Sequence, residues 1–286
     1  MTYAPVHTAT FTENVITMPV VTAQRDAKAS IVIPCYNEAK RLDQDAFLEF
    51  LVGHPNVSFV FVNDGSKDAT LDVLLAMKSV RPSQITVVAL EQNSGKAEAV
   101  RQGLLVAGRT DASLLGYWDA DLATPLDAIE EFCRVADRFE DVDVVFGARR
   151  QLLGHRIERT LKRRIVSRIC ASLARVAVRL PVGDTQCGAK LLRNTPRLAD
   201  ALAKPFSTDW LFDVELFSRL SLTSPNRRSS FYEFPLAEWS EIEGSKVSAK
   251  AMVRSGLSML RLIAESRIRR TRSTAVPRAN RSPMAA

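Results

Sequence analysis

Long apolar runs and clustered cysteines are both missing from this sequence of 286 residues. No stretch reaches the roughly 18 apolar residues that cross a bilayer, so a membrane-spanning helix is not expected. The start of the chain lacks a basic segment followed by an apolar one, which disfavours a signal peptide. The four cysteines stand apart without CxxC spacing. This spacing disfavours a zinc knuckle or a disulfide framework and favours a reducing, cytoplasmic compartment.

The charge is strongly positive, with a net charge of +7 and an isoelectric point of about 9.4. Basic residues concentrate at 149–179 and after residue 245. Such a surface suits nucleic acid, phospholipid or a phosphorylated substrate. No aromatic-rich basic strand, zinc finger or helix-turn-helix pattern occurs, so nucleic acid is not the expected partner.

Apolar bursts alternate with helical patterns in the first half of the chain. The bursts predict strands at 30–34, 57–62, 85–90, 113–118 and 142–147. The segments between them predict helices at 43–52, 69–80, 96–107 and 126–139. Strands that are apolar throughout indicate a parallel sheet with helices on both faces. Ligands of such doubly wound α/β proteins bind at the carboxyl ends of the strands.

The second half of the chain follows a different pattern from the first. It predicts a basic amphipathic helix at 156–180, a helix near 208–220, a strand near 229–234 and a final basic helix at about 246–268. Basic stripes beside apolar faces suit an anionic membrane surface, although packing on the core is the alternative. We expect a loosely ordered extension at 1–27, one domain at 28–268 and a basic, disordered tail at 269–286.

Asp119 and Asp121 stand two residues apart, directly after the fourth predicted strand. Two hard carboxylate ligands suit Mg²⁺ or Mn²⁺, and a nucleotide diphosphate would supply the remaining oxygens. The alternative is a solvated loop whose aspartates cap a helix.

Asp64 and Lys96 follow the second and third predicted strands. The Asp64 carboxylate could accept hydrogen bonds from a base or ribose, or could form an Asx-turn in which Gly65 has a positive φ. Lys96 and nearby N–H groups could contact a phosphate at a helix start. P-loop spacing is absent, so an ATPase is not expected.

Four segments resemble, in the same order, family 2 inverting glycosyltransferases of the GT-A fold: SIVIPCYNE, VNDGSKDAT, NSGKAEAVRQG and WDADLATP. Three later segments are similar to dolichyl-phosphate β-glucosyltransferases and their bacterial polyprenyl-phosphate relatives: GDTQCGAKLLRN (183–194), DWLFDVELFSRL (209–220) and EWSEIEGSKV (238–247). The resemblance covers about 29–263. It implies a Rossmann-like, mostly parallel sheet with helices on both faces, plus the basic amphipathic helices.

The resemblance also implies roles for individual residues. It implies a nucleotide site formed by Pro34, Tyr36, Glu38 and Asp64 and flanked by Lys96. The metal and diphosphate would bind Asp119 and Asp121. The acceptor phosphate would face Arg149 and Arg168. The sugar pocket would be shaped by Asp184, Gln186 and the segment from Trp210 to Glu215.

The implied activity is metal-dependent, inverting transfer of glucose from UDP-glucose to a polyprenyl or dolichyl-type phosphate at the cytoplasmic face of a membrane. An anionic phosphate acceptor needs no strong general base. Two alternatives stay open. A soluble hydroxyl acceptor would need a base, for which Asp184 and Asp213 are the candidates. A non-catalytic protein that binds a nucleotide sugar is the other.

Overall fold

The computed structural model describes residues 28–157, 171–172 and 174–240. The strands are β1 (Ala29–Cys35), β2 (Val57–Asp64), β3 (Ile85–Leu90), β4 (Leu114–Tyr117), β5 (Val144–Ala148), β6 (Arg156–Ile157), β7 (Lys190–Arg193), β8 (Phe231–Pro235) and β9 (Glu238–Trp239). Seven of them form one sheet in the order β3-β2-β1-β4-β7-β5-β8. The other two, β6 and β9, form a small parallel pair.

The helices are α1 (Gln44–Gly53), α2 (Thr70–Val80), α3 (Lys96–Ala107), α4 (Ala128–Arg138), α5 (Pro196–Leu202) and α6 (Phe212–Thr223). Residues 174–178 are also helical. Local chemistry sets some of these boundaries. Asp43 caps α1 by accepting a hydrogen bond from the Ala46 N–H, at 3.0 Å. Pro196 is the first residue of α5. The N–H at this position has no acceptor within a helix, so the missing N–H of proline costs no intrahelical hydrogen bond.

Both faces of the sheet are buried, as the continuous apolar strands predict. Along β1, Ile31 and Ile33 belong to one core layer, which also contains side chains of α1, α2 and α4. Val32, between them, belongs to the opposite layer, with side chains of α3, α5 and α6. Successive strand residues point to opposite faces, so alternate positions fill different layers.

The predicted first five strands and four helices all occur, within a few residues of their predicted limits. Four elements were not predicted: the strands β6, β7 and β9 and the helix α5. β7 lies between β4 and β5 and runs antiparallel to both. It is only four residues long and begins with a lysine, so it lacks the apolar run that marks the other central strands.

The predictions for the second half need correction in two places. Residues 156–157 form β6, so a helix at 156–180 is wrong at its start, because these residues pair with β9. The helix predicted near 208–220 is α6, which begins at Phe212 and ends at Thr223. The helix at 246–268, the extension and the tail lie outside the described residues. Within the described ranges, no helix combines the length and the apolar character needed to cross a membrane.

Candidate active site

The loops that follow β1 and β2 are joined by hydrogen bonds at the carboxyl edge of the sheet. The Asn37 side chain accepts a bond from the Lys67 N–H at 2.9 Å, and the Asn37 N–H donates to Ser66 Oγ at 3.0 Å. The Glu38 N–H donates to Thr70 Oγ1 at 2.9 Å. Asn37 has a φ of 55°, a left-handed conformation that asparagine tolerates better than most residues. The two loops therefore form one connected rim.

Asp64, the last residue of β2, fixes the next loop. Its Oδ1 accepts a hydrogen bond from the Ser94 N–H at 2.7 Å, and its Oδ2 accepts one from the Gly95 N–H at 2.9 Å. Gly65 has a φ of 62°, as the Asx-turn alternative requires. The carboxylate, however, bonds to the loop after β3 rather than to its own turn. Asp64 thus positions the residues that lead directly into Lys96.

Lys96 and Asp119 form an ion pair in which the Lys96 ammonium contacts Asp119 Oδ1. Burial raises the pKa of Asp119, but Lys96, Lys190 and Arg149 lower it more, so the pKa lies below its ordinary value. The pKa of Asp121 is raised, first by burial and then by the neighbouring Asp119 charge. The two aspartates are therefore electrostatically coupled at the end of β4.

The donor set fits a hard divalent cation. Asp119 already accepts a cationic partner, and Asp121 is half-buried beside it, with Oδ1 accepting a bond from the Ala123 N–H at 3.1 Å. Carboxylate oxygens are the ligands that Mg²⁺ and Mn²⁺ prefer. In the described part of the chain, no group of three or more His, Cys, Asp or Glu side chains could hold a metal ion.

Arg149 and Asp184 form a bidentate ion pair. Arg149 Nε lies 2.7 Å from Asp184 Oδ2, and Arg149 Nη2 lies 2.8 Å from Asp184 Oδ1. The guanidinium also lies 5.1 Å from the centre of the Trp239 ring. Both side chains are nearly buried, 12% and 7% exposed. The residue predicted to face the acceptor and one predicted general base are thus partners of each other.

Asp213, the second predicted base, is held by two buried groups. Its Oδ1 accepts a hydrogen bond from the Tyr117 hydroxyl at 2.5 Å and lies 2.6 Å from Lys190 Nζ. Lys190 is fully buried and also donates to the Cys187 carbonyl. Neither Tyr117 nor Lys190 was predicted from the sequence to belong to the site. A lysine at the start of β7, directly before the buried pair Leu191–Leu192, is the signal that could have revealed this cluster.

The other predicted site residues lie around this centre or outside the described ranges. Pro34 is half-buried within β1, and Tyr36 is exposed after it. Glu38 Oε2 is buried 3.3 Å from Arg41 Nε, and burial is the main cause of its raised pKa. Of the residues predicted to hold the nucleotide, Pro34 thus lies near the end of β1, and Tyr36 and Glu38 follow that strand.

Gln186 Nε2 is buried and makes no hydrogen bond within the described residues. Trp210 is exposed just before α6, whereas Glu215 is buried and accepts hydrogen bonds from the Ser207 N–H and hydroxyl, both at 2.9 Å. Glu215 is therefore occupied in fixing this segment. Arg168 lies outside the described residues.

Comparisons with known proteins agree with this architecture. The model of the family described as Glycosyl transferase family 2 matches residues 30–196. A dolichyl-phosphate beta-glucosyltransferase of Drosophila melanogaster is 32% identical over 249 residues, which span 82% of this chain and 73% of that protein. Its Homo sapiens counterpart is 29% identical over 253 residues, 81% of this chain and 73% of that protein.

A solved structure shares the fold. Glucosyl-3-phosphoglycerate synthase from Mycobacterium tuberculosis, in complex with Mn²⁺, UDP-glucose and phosphoglyceric acid, superposes with a TM-score of 0.63 at 17% identity. The match covers 83% of this chain and 80% of that one. The GT-A fold, the family and the enzyme class predicted from the sequence are all confirmed. The chain belongs to glycosyl transferase family 2 and is a glycosyltransferase.

Proposed function

We propose that this enzyme transfers glucose from UDP-glucose, with inversion, to a polyprenyl-type lipid phosphate. The two relatives compared above are both named dolichyl-phosphate beta-glucosyltransferases. These names support glucose as the sugar and a lipid phosphate as the acceptor. The observation that carries the proposal is that both candidate general bases are ion-paired with buried cations.

A hydroxyl acceptor must lose its proton, so its enzyme needs a carboxylate or another base that can take it. Asp184 is held bidentately by Arg149, and Asp213 by Lys190 and Tyr117. A carboxylate that is stabilised by a cation is a weak proton acceptor. A phosphate acceptor is already ionised near neutral pH and needs no such base. The site therefore suits an anionic acceptor better than an alcohol.

In the proposed reaction an acceptor phosphate oxygen attacks C1 of the glucosyl group. The bond from C1 to the diphosphate oxygen breaks, and its electron pair leaves with UDP. Arg149 binds Asp184 through Nε and Nη2, so its Nη1 group takes no part in that pair and can meet the acceptor phosphate. Arg168 stays a prediction for the same task.

The leaving diphosphate gathers negative charge as the bond to C1 breaks. Mg²⁺ or Mn²⁺ held by Asp119 and Asp121 would neutralise that charge. Lys96, which contacts Asp119 and is 45% exposed, can reach a bound phosphate from the same position. Pro34, Tyr36 and the loop held by Asp64 would contact the nucleotide.

One experiment tests the whole proposal. Purified enzyme is incubated with a panel of UDP- and GDP-sugars and, in parallel, with polyprenyl phosphate, phosphoglycerate or a soluble alcohol, and the products are identified by mass. We expect glucosyl polyprenyl phosphate from UDP-glucose with Mg²⁺ or Mn²⁺ present. Efficient transfer to the alcohol, with none to polyprenyl phosphate, would contradict the acceptor assignment. UDP-glucose that remains intact with every acceptor would contradict the donor assignment.

Asp64→Ala is expected to raise the KM for the donor about tenfold or more while kcat stays nearly unchanged, since the loop that Asp64 holds would contact the nucleotide alike in ground and transition states. The variant should also unfold about 1–3 kcal/mol more easily, because two N–H groups lose their acceptor. Steady-state kinetics and chemical denaturation measure both effects. Asp72→Ala, which removes an exposed carboxylate on α2, is the control. A drop in kcat at constant KM would instead indicate that Asp64 acts in the chemical step.

We further propose that the enzyme docks on a lipid surface through the turn Leu152–His155. The His155 N–H donates to the Leu152 carbonyl at 3.1 Å, and Gly154 has a φ of 83°, as a type II turn requires. Leu153 at its tip is 103% exposed and Leu152 is 49% exposed. The turn begins three residues after Arg149. Apolar side chains presented beside the proposed acceptor site suit a bilayer from which a lipid phosphate is drawn.

Leu153→Ser is expected to weaken binding to phospholipid vesicles about 10–100-fold, because burying a leucine contributes roughly 1.5–3 kcal/mol. The loss should be the same at low and high salt, since salt screens charges and not apolar contacts. Flotation with phosphatidylglycerol vesicles measures it. Val52→Ser removes an exposed side chain at the end of α1 and should float like the wild type. Equal flotation of the two variants would contradict docking by the turn.

A further inference from the structure

Lys190 is a fully buried cation in the middle of the sheet. It is the first residue of β7, directly opposite Tyr117 in the antiparallel pairing with β4. A buried ammonium is costly unless it is paired and hydrogen-bonded, so a sequence that keeps one needs a compensating interaction.

The contacts of Lys190 provide that compensation. Its Nζ lies 2.6 Å from Asp213 Oδ1 and also donates to the Cys187 carbonyl. The Tyr117 ring centre lies 5.1 Å away, and the Tyr117 hydroxyl donates to the same Asp213 oxygen. Lys190 thus joins α6, β4 and the residues just before β7 at one point.

The bond to Cys187 links this cluster to the proposed metal site. Gly188 follows Cys187 and packs directly against Asp119. A Cβ added at Gly188 would lie 1.8 Å from Asp119 Oδ2 and 2.2 Å from its Cγ. The Cys187–Gly188 segment therefore lies directly against the Asp119 carboxylate, and the Lys190 ammonium holds the Cys187 carbonyl at one end of that segment.

We propose that Lys190 is a positioning residue for donor binding. It holds the Cys187–Gly188 segment and so sets the direction of the Asp119 carboxylate toward a bound metal diphosphate. The inference rests on the proposed function only through the metal-dependent nucleotide site and is independent of the acceptor. Replacement of a group that orients a metal ligand without itself binding the metal commonly changes metal affinity by about 10–100-fold.

A purely structural ion pair would behave differently. A buried ion pair can often be replaced by a neutral pair of similar volume with little loss of stability, whereas removal of one partner leaves a buried charge unpaired. Lys190→Met is therefore compared with Asp213→Asn and with the double variant. The amide oxygen that Asp213→Asn introduces would still accept the Tyr117 hydrogen bond, and only the double variant removes both charges together.

Two measurements separate positioning from stability. Thermal melting reports the fold, and calorimetric titration with UDP, in Mn²⁺ and again in EDTA, reports the metal-dependent part of nucleotide affinity. We expect Lys190→Met to lower the melting temperature and the double variant to recover most of that loss. In Mn²⁺ the double variant should still bind UDP about 10–100-fold more weakly than wild type, with little change in EDTA.

Lys28→Met/Asp111→Asn is the matched control, because it removes an exposed ion pair by the same substitutions. It should bind UDP like the wild type. If the Lys190→Met/Asp213→Asn variant binds Mn²⁺ and UDP within about twofold of wild type, or does not fold, the positioning role is wrong. Wild-type UDP affinity that is identical in Mn²⁺ and EDTA would instead contradict the metal-dependent site itself.

Discussion

Replacement of Asp121 by alanine or asparagine is expected to lower kcat about a thousandfold, while the fold is retained. Loss of a metal ligand removes several kcal/mol of charge stabilisation from the leaving diphosphate, and each 1.36 kcal/mol corresponds to a factor of ten in rate. The Asp121 carboxylate accepts a hydrogen bond from the Ala123 N–H at 3.1 Å. Asparagine keeps an oxygen that can accept this hydrogen bond. Asp121→Asn therefore removes the negative charge while it preserves the local loop structure.

The measurement is steady-state transfer with each variant at several Mn²⁺ concentrations, together with thermal melting. Asp111→Ala, an exposed carboxylate before β4, serves as the control and should keep full activity. Addition of EDTA to the wild type should reproduce the loss. Substantial activity in Asp121→Asn, or wild-type activity that EDTA leaves unchanged, would refute the metal role.

Gly188→Ala is expected to lower kcat/KM about a hundredfold or more. The added methyl would overlap Asp119, whose Oδ2 lies 1.8 Å from the position of the new Cβ. The carboxylate must move away, and a misplacement of about 1 Å at a reacting centre can cost about a hundredfold in rate. Because the nearest atoms belong to Asp119 itself, the substitution acts on the residue proposed to hold the metal.

Gly53→Ala provides the comparison, because a Cβ at Gly53 meets no atom within 4 Å. Its kinetics should match the wild type. The UDP affinity of Gly188→Ala should fall in Mn²⁺ and change little in EDTA, as for the Lys190 variants. Wild-type kinetics in a folded Gly188→Ala enzyme would mean that Asp119 can move without consequence, and both proposals for this segment would fail.

The architecture of the first half of the chain follows from its local sequence pattern. The first five strands are apolar on both faces and the turns between them are polar, so local composition was sufficient to predict a doubly wound sheet. The same pattern placed Asp64, Lys96 and the Asp119–Asp121 pair at or after the carboxyl ends of three strands of one sheet, β2, β3 and β4. The resemblance of short motifs then indicated the family, which the comparisons confirm.

The predicted boundaries of 1–27, 28–268 and 269–286 stay predictions, as do the roles of the site residues. The second half was predicted less well because its elements are short or charged. β7 begins with a buried lysine, and Arg156–Ile157 form a strand only by pairing with β9. Such elements depend on a partner that is distant in the sequence and leave little periodic signal.

The partners of the carboxylates in the second half, by contrast, depend on the three-dimensional fold. Asp184 and Asp213 both looked like possible bases, because a free carboxylate and a paired one have the same sequence signature. The fold brings Arg149 to Asp184 across 35 positions and Tyr117 to Asp213 across 96. β7, which runs antiparallel between β4 and β5, places Lys190 opposite Tyr117, and α6 brings Asp213 to both residues. Charge pairing depends on separation in space, and chain order alone does not determine that separation.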